Sequence, residues 1–185
     1  MDLRDQFANL LATTAHTIEY AIHLIPMGRL FDEPPHASHP NSDRGFKTYF
    51  GQWSAGRLLF HLIFYEETYA LPAMRHWVSQ PHPELDLIFP DSDIEERAWE
   101  EAQRNGLDLE DMLGRFRSAR SEQIDVFGQI PLDELKQEKV KTGLGGVSAA
   151  FVVSKTIQHS LEHGNDLMKN ALYWDRALTW LDEQA

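Results

Sequence analysis

Apolar residues recur at the spacing of an α-helix along most of this chain of 185 residues. From Leu3 to Ile25 they fall on one stripe at about 100° per residue, which predicts an amphipathic helix that Pro26 and Gly28 end. A second helix is predicted from Trp53 to about Leu71, with Ser54 as its N-cap. Its centre, "LLFHLIFY", is apolar all round, as in helices that are buried on several sides.

Two more long helices follow. One is predicted from about Leu109 to Ile130, where Asp108 and Asp111 resemble the ends of a capping box. "TGLGG" then breaks the chain, and Ser148 is the candidate N-cap of a helix that reaches about Tyr173. Shorter helices are predicted from about Ile94 to Asn105 and from Asp175 onward.

The remaining segments are predicted to be irregular. Residues 26–52 contain the polar, Pro-rich run "DEPPHASHPNSDRGF" and are expected to form a long loop. Pro72 is expected to kink or divide the second helix, and "PHPELDLIFPDSD" to form another loop. No strand pattern, internal repeat or low-complexity tract is visible. We therefore predict one all-α domain over residues 1–185, a four-helix bundle with antiparallel neighbours and additional short helices.

Composition limits the possible partners. The formal net charge is −12, which argues against nucleic acid and anionic membrane surfaces. With no cysteine, the chain has no disulfide, thiolate ligand or cysteine nucleophile, so any thiol must come from a cosubstrate. No run of about 18 apolar residues predicts a membrane span, and the acidic N-terminus does not resemble a signal peptide. A cytoplasmic location is the default expectation.

His159 and His163 are the first candidate metal ligands. They are four positions apart, so their side chains are neighbours on one helix face, about 5–6 Å apart at Cβ. On the helical wheel they lie at the shoulder of a predicted core stripe of apolar residues and one glycine, where a pocket wall would have access to solvent. A pair of solvated histidines is the alternative interpretation. The core stripe consists of Val153, Ile157, Leu161, Gly164, Met168 and Ala171.

His61 is the third candidate because it interrupts the apolar run of the second helix. A buried imidazole without a partner costs about 1–3 kcal/mol, so a hydrogen bond or a metal should satisfy it. A core histidine bonded to a carbonyl or carboxylate is the alternative. Glu66 and Glu67, just over a turn later, could accept a hydrogen bond from an imidazole N–H or could simply be surface carboxylates.

The other six histidines are interpreted as non-ligands. His16, Glu19 and His23 have a spacing that could bind metal, but they lie opposite the apolar stripe and are expected to be solvated. His36 and His39 lie in the predicted loop, where an accessory ligand is the alternative. His76 and His82 are expected at the surface.

The arrangement resembles the DinB-like superfamily, also called YfiT-like putative metal-dependent hydrolases. The resemblance rests on "QWSAGRLLFHLIFYEE" on the second long helix and "IQHSLEHGNDL" on the fourth, with a third helix between. It implies a four-helix bundle whose metal ligands are His61, His159 and His163, and a homodimer. Asn165 stands where the family often has Gln, so a role for that Gln cannot be carried over. Known members include thiol-dependent transferases.

Three neutral imidazoles can hold a divalent ion such as Zn²⁺ or Ni²⁺ and leave positions open. An open position can take water or a low-molecular-weight thiol and lower its pKa. The leading hypothesis is therefore a metal-dependent hydrolase or thiol S-transferase that acts on a small molecule. The alternative is a non-catalytic stress-response module that binds metal or a small ligand. A ferritin-type carboxylate site would need paired E-x-x-H motifs, which the main helices lack.

Overall fold

The computed structural model describes residues 2–78, 92–142 and 145–184, with the backbone alone for 140–142. Its α-helices are α1 (Leu3–His23), α2 (Pro35–Ser38), α3 (Arg44–Phe50), α4 (Ala55–Tyr65), α5 (Leu71–Arg75), α6 (Ser92–Asn105), α7 (Leu109–Gln129) and α8 (Ala149–Glu183). A 3₁₀ turn (Met27–Arg29), a π-helical turn (Glu66–Ala70) and strands β1 (Glu138–Thr142) and β2 (Gly145–Ser148) complete the described elements. The predicted loop "PHPELDLIFPDSD" lies almost wholly outside the described residues.

The predicted starts of the long helices are confirmed. Ser54 Oγ accepts a hydrogen bond from the backbone N–H of Arg57, three residues into α4. Asp108 caps α7 and Ser148 caps α8 in the same way. Each side chain satisfies a backbone N–H that the first helical turn would otherwise leave without a partner.

The prediction of one long loop over 26–52 is wrong, because the segment folds into short helices. Asp43 caps α3 by accepting from the N–H of Phe46. The aromatic side of α3 then packs on the end of α8, where the rings of Phe46 and Trp180 stack with centroids 5.3 Å apart. Tertiary contacts with aromatic residues, which local propensity does not register, order this segment.

The prediction that the chain has no strand is also wrong. β1 and β2 pair as an antiparallel hairpin in which Val140 lies opposite Val147. Two glycines in β2 and charged residues in β1 conceal the usual alternation of apolar and polar residues. The hairpin leads directly into α8, which begins at the residue after β2. The N–H of Ala150 in the first turn of α8 donates a hydrogen bond to the carbonyl of Leu135, which precedes β1.

One helix end also differs from the prediction. α8 does not stop near Tyr173 but continues to Glu183, and Arg29 forms a solvent-exposed ion pair with Asp175 beside its last part. The second helix is divided just before Pro72, in line with the prediction. The π-helical turn immediately before it widens the backbone, and α5 continues from Leu71.

α1, α4, α7 and α8 form the bundle, and their buried apolar residues make two clusters. Leu11 and Val153 belong to one cluster, while Ile18 and Leu167 belong to the other. α1 and α8 therefore run in the same direction, and α4 and α7 run in the opposite one. The prediction of antiparallel neighbours is wrong for the α1–α8 pair and for the α4–α7 pair, whose two helices also contact each other. α1 and α8 pack so closely that a Cβ added to Gly164 would lie only 3.3 Å from Ile18 Cδ1.

A buried polar layer separates the two apolar clusters. It consists of Thr14, Glu66, Arg120, Gln123, Thr156, His159 and Ser160. Arg120 connects three helices there: its guanidinium pairs with Glu66 and donates to Thr14 Oγ1 and Ser160 Oγ at 2.8 Å each. Among the described residues, no helix is both long enough and apolar enough to cross a membrane.

Candidate metal centre

His61 on α4 and His159 and His163 on α8 converge beside this polar layer. Each offers one ring nitrogen, and the three nitrogens lie within 4.8 Å of one another. The ring centroids are 4.7–4.9 Å apart, and the ring planes are at steep angles to one another. The predicted convergence of these imidazoles from two distant segments is confirmed.

The hydrogen-bond partners show which nitrogens face inward. His61 Nε2 and His159 Nε2 are 2.8 Å apart, so these two atoms point at each other. His61 Nδ1 is on the opposite side of its ring, 2.8 Å from Glu95 Oε2. Asp166 Oδ2 lies on the Nδ1 side of His163 at 3.6 Å, which is longer than a hydrogen bond.

Burial keeps the central imidazole uncharged. His159 is 8% exposed, and burial together with the neighbouring His61 and His163 lowers its pKa to about 2. Its Nδ1 is buried without a hydrogen-bond partner. Tyr65 contacts the ring from the side, with centroids 4.6 Å apart. A neutral imidazole is the form that binds metal.

Two carboxylates flank the cluster. Burial alone would raise the pKa of Glu95, but His61 and Arg57 outweigh it and hold that pKa below its ordinary value. Burial would likewise raise the pKa of Asp166, which His163 and Lys169 instead hold low. Both carboxylates are therefore ionised at neutral pH, and each lies beside an imidazole.

Trp53 covers the outer side of the cluster. Its ring centroid is 5.0 Å from that of His61 and 6.4 Å from that of His163. A cavity of about 290 Å³ lies next to it, lined by Gly51, Gln52, Trp53, Leu58, His163 and Asp166. Trp53 also lines a neighbouring cavity of about 250 Å³ together with Arg57 and Trp99. The histidine cluster thus has a space beside it that could admit a small molecule.

Glu66 and Glu67 do not act as acceptors for the histidine cluster. Glu66 is fully buried, and burial raises its pKa while the Arg120 guanidinium opposes that rise. Glu67 pairs with Arg115 at the surface. The carboxylate that does contact His61 is Glu95 on α6, which sequence reasoning missed. One sequence feature could have found it: Glu95 is one turn before the buried Trp99 and shares its face of α6.

The other histidines lie away from the cluster. His16 and His23 are exposed and Glu19 pairs with Arg117, as expected for a solvated face. His36 is not a solvated loop residue: it is 1% exposed, and its Nε2 contacts the carbonyl of Gly51. His39 contacts Asp182, and His76 is partly buried. His82 lies outside the described residues.

The predicted core stripe of α8 is wrong at Leu161, which is 56% exposed. Thr156, Ser160 and Asn170 are buried instead, so α8 turns a partly polar face inward. His159 lies on that buried face rather than at its shoulder. The polar layer and the histidine cluster explain this orientation, because both require polar side chains inside the bundle.

A family model supports the relationship suggested by the two histidine motifs. The model of the DinB superfamily matches residues 8–167, which include His61, His159 and His163. Asn165, which stands where the family often has Gln, is exposed on α8. No curated protein and no solved structure matches the chain. With most of its length matched by the family model, the chain belongs to the DinB superfamily.

Proposed function

We propose that this protein is a divalent-metal-dependent enzyme whose metal is held by His61, His159 and His163. The observation that carries the proposal is the convergence of three imidazoles, from two helices, within 4.8 Å. Membership of the DinB superfamily is compatible with it.

The side chains present fit a borderline ion such as Zn²⁺ or Ni²⁺. Imidazole nitrogen suits both ions, whereas Mg²⁺ and Ca²⁺ prefer oxygen ligands. Burial keeps His159 neutral, and a neutral imidazole is the ligating form. Three protein ligands, with no fourth histidine or cysteine beside them among the described residues, resemble a catalytic more than a structural set.

Such an ion supplies Lewis-acid chemistry, lowering the pKa of water or of a thiol that reaches it. The chain's own residues bind and orient. Trp53 forms an apolar wall over two of the imidazoles, and the adjacent cavity of about 290 Å³ has room for a small substrate. We propose a small molecule, with a low-molecular-weight thiol as cosubstrate in the transferase case, since the chain has no cysteine of its own.

Elemental analysis tests the site. Protein purified without a histidine tag is expected to carry about one divalent ion per chain, and the His61→Ala and His159→Ala variants are expected to lose it. His16→Ala, on the exposed face of α1, serves as the matched control and should retain the metal. Near-stoichiometric metal in both site variants would refute the three-histidine assignment.

Turnover assays then separate hydrolase from transferase. The metal-loaded protein is incubated with small esters, amides and alkylating electrophiles, with and without low-molecular-weight thiols. Product formation that needs the thiol indicates a transferase, whereas formation without it indicates a hydrolase. Tight metal binding with no turnover would favour the non-catalytic binding module.

A further inference from the structure

Of the three imidazoles, His61 is the one held by a charged hydrogen-bond acceptor. Its Nδ1 is 2.8 Å from Glu95 Oε2, whereas His159 Nδ1 is buried without a partner and His163 Nδ1 is 3.6 Å from Asp166. The Glu95 side chain is 12% exposed, so water competes little for its oxygens. The contact is therefore strong and specific.

Glu95 is itself fixed from its other side. Arg57 Nη1 lies 2.7 Å from Glu95 Oε1, and the Arg57 guanidinium lies over the rings of Trp53 and Trp99 at 4.8 and 5.2 Å. Arg57 is one turn before His61 on α4 and has a nearly buried side chain. A buried cation thus lies in ionic contact with one carboxylate oxygen while the other faces the imidazole.

We propose that Glu95, which α6 places beside His61, is a positioning residue for the metal centre. By accepting from Nδ1–H, Glu95 fixes the tautomer of His61 that presents its Nε2 lone pair to the cluster. It also raises the basicity of the ring as a ligand. This inference rests on the proposed function, because it assigns a role toward the same ion.

Glu95 also determines where the ring protons lie in the metal-free protein. His61 Nε2 and His159 Nε2 are close enough to share one proton. If Glu95 places the His61 proton on Nδ1, the shared proton belongs to His159 Nε2 and is donated to His61. His159 Nδ1 is then a bare acceptor, in accord with its lack of a partner.

Glu96 provides a matched control, since it is the adjacent residue and also pairs with Arg57, at 3.0 Å. Its side chain is 59% exposed, so it lies at the rim of the site rather than inside it. Glu95→Ala and Glu96→Ala each remove one carboxylate and one partner of Arg57. They differ in whether the removed group contacts His61.

The first measurement is Zn²⁺ affinity, by competition with a chromophoric chelator at pH 7.5. Glu95→Ala is expected to weaken binding about 10–100-fold, and Glu96→Ala less than about threefold. Glu95→Gln keeps the shape and an accepting oxygen, so a smaller loss is expected. If far-UV circular dichroism shows that Glu95→Ala is unfolded, Glu95→Gln is compared with Glu96→Gln instead. Equal affinities for the two alanine variants, or for Glu95→Gln and Glu96→Gln in that case, would overturn the proposal.

The second measurement is the His61 tautomer in the metal-free protein, by long-range ¹H–¹⁵N correlation spectra at pH 8. The wild type and Glu96→Ala are expected to show the Nδ1–H form, and Glu95→Ala a shift toward Nε2–H. A purely structural role for Glu95 would leave the tautomer unchanged. If wild-type protein binds no Zn²⁺, the proposed function fails, while this spectrum still decides whether Glu95 fixes the imidazole.

Discussion

At the scale of single residues, several polar and charged side chains lie buried inside the bundle. His159 is almost fully buried and is uncharged in the folded state, although an unfolded chain would protonate it near pH 6.5. Glu66 and Arg120 are buried as an ion pair. Each of these groups makes the stability of the fold depend on its partners or on pH.

The first prediction concerns the pH dependence of the metal-free protein. As pH falls through 6.5, the unfolded chain takes up a proton at His159, whereas the folded pKa of about 2 prevents uptake in the native state. Because the unfolded state then binds more protons, stability falls on acidification. Between pH 7 and pH 5 this residue should lower the free energy of unfolding by about 2 kcal/mol.

Urea unfolding at several pH values checks this result. His159→Gln should lose this part of the pH dependence, while His16→Gln, on the exposed face of α1, should keep it. An equal loss of stability between pH 7 and pH 5 in wild type and His159→Gln would contradict the buried, neutral state of His159.

The second prediction compares two arginines of α7. Arg120→Ala leaves the fully buried Glu66 without its cationic partner, so its carboxyl must take up a proton or remain an uncompensated charge, and the free energy of unfolding should fall by about 3–5 kcal/mol. Arg115→Ala breaks the pair with Glu67, whose side chains are 49% and 36% exposed, and should cost about 0–1 kcal/mol. Denaturant unfolding measures both, and similar losses for the two variants would argue against a tightly buried ion pair.

The sequence marks a polar residue as unusual only where its neighbours are apolar. His61 stood out because it interrupts an apolar run, and the structure places it in the cluster. Glu95 did not stand out, because a carboxylate in a charged helix looks like any solvated residue. Trp99 marks the face of α6 on which Glu95 lies, but the residue of α4 that this face meets depends on how the two helices dock.

At the scale of elements, the connection between α3 and α4 sets the position of Trp53 over the imidazoles. Gly51 ends α3 with φ +80° and ψ 177°, a backbone region that is essentially restricted to glycine. Its carbonyl also contacts the buried His36. The segment that leads to Trp53 is therefore fixed by one glycine and one buried histidine.

The third prediction is that Gly51→Ala destabilises the protein by about 1–3 kcal/mol, owing to backbone strain. Gly114 lies in the exposed middle of α7, where a Cβ would meet no atom within 4 Å, so Gly114→Ala should stabilise by about 0.5–1 kcal/mol. Thermal unfolding compares the two. The strain argument fails if the two variants change stability in the same direction by similar amounts.

The long helices could be read from sequence because side-chain caps and apolar stripes mark them locally, as Ser54 and Ser148 do. The hairpin and α3 could not. β1 and β2 are held by pairing with each other, and α3 is ordered partly by rings that it meets on α8. Such contacts between residues distant in sequence leave no periodic pattern within either segment.

At the scale of the whole molecule, the histidine cluster joins two helices that are distant in sequence. His61 and His159 are 98 positions apart, so an unfolded chain would rarely hold them together. An ion that binds the folded cluster therefore stabilises the whole bundle.

The fourth prediction follows from this coupling. Zn²⁺ at 100 times its dissociation constant should raise the free energy of unfolding by about 2.7 kcal/mol. The increase should disappear in His61→Ala and persist in His16→Ala. Urea unfolding with and without Zn²⁺ measures it, and an equal increase in His61→Ala would show that the ion binds elsewhere.

Anomalous diffraction from crystals of the untagged, metal-bound protein tests the central claim most directly. We predict one strong peak per chain within about 2.0–2.1 Å of nitrogens from His61, His159 and His163. A peak on other residues, or an imidazole of His61 turned away from the ion, would contradict the three-histidine centre.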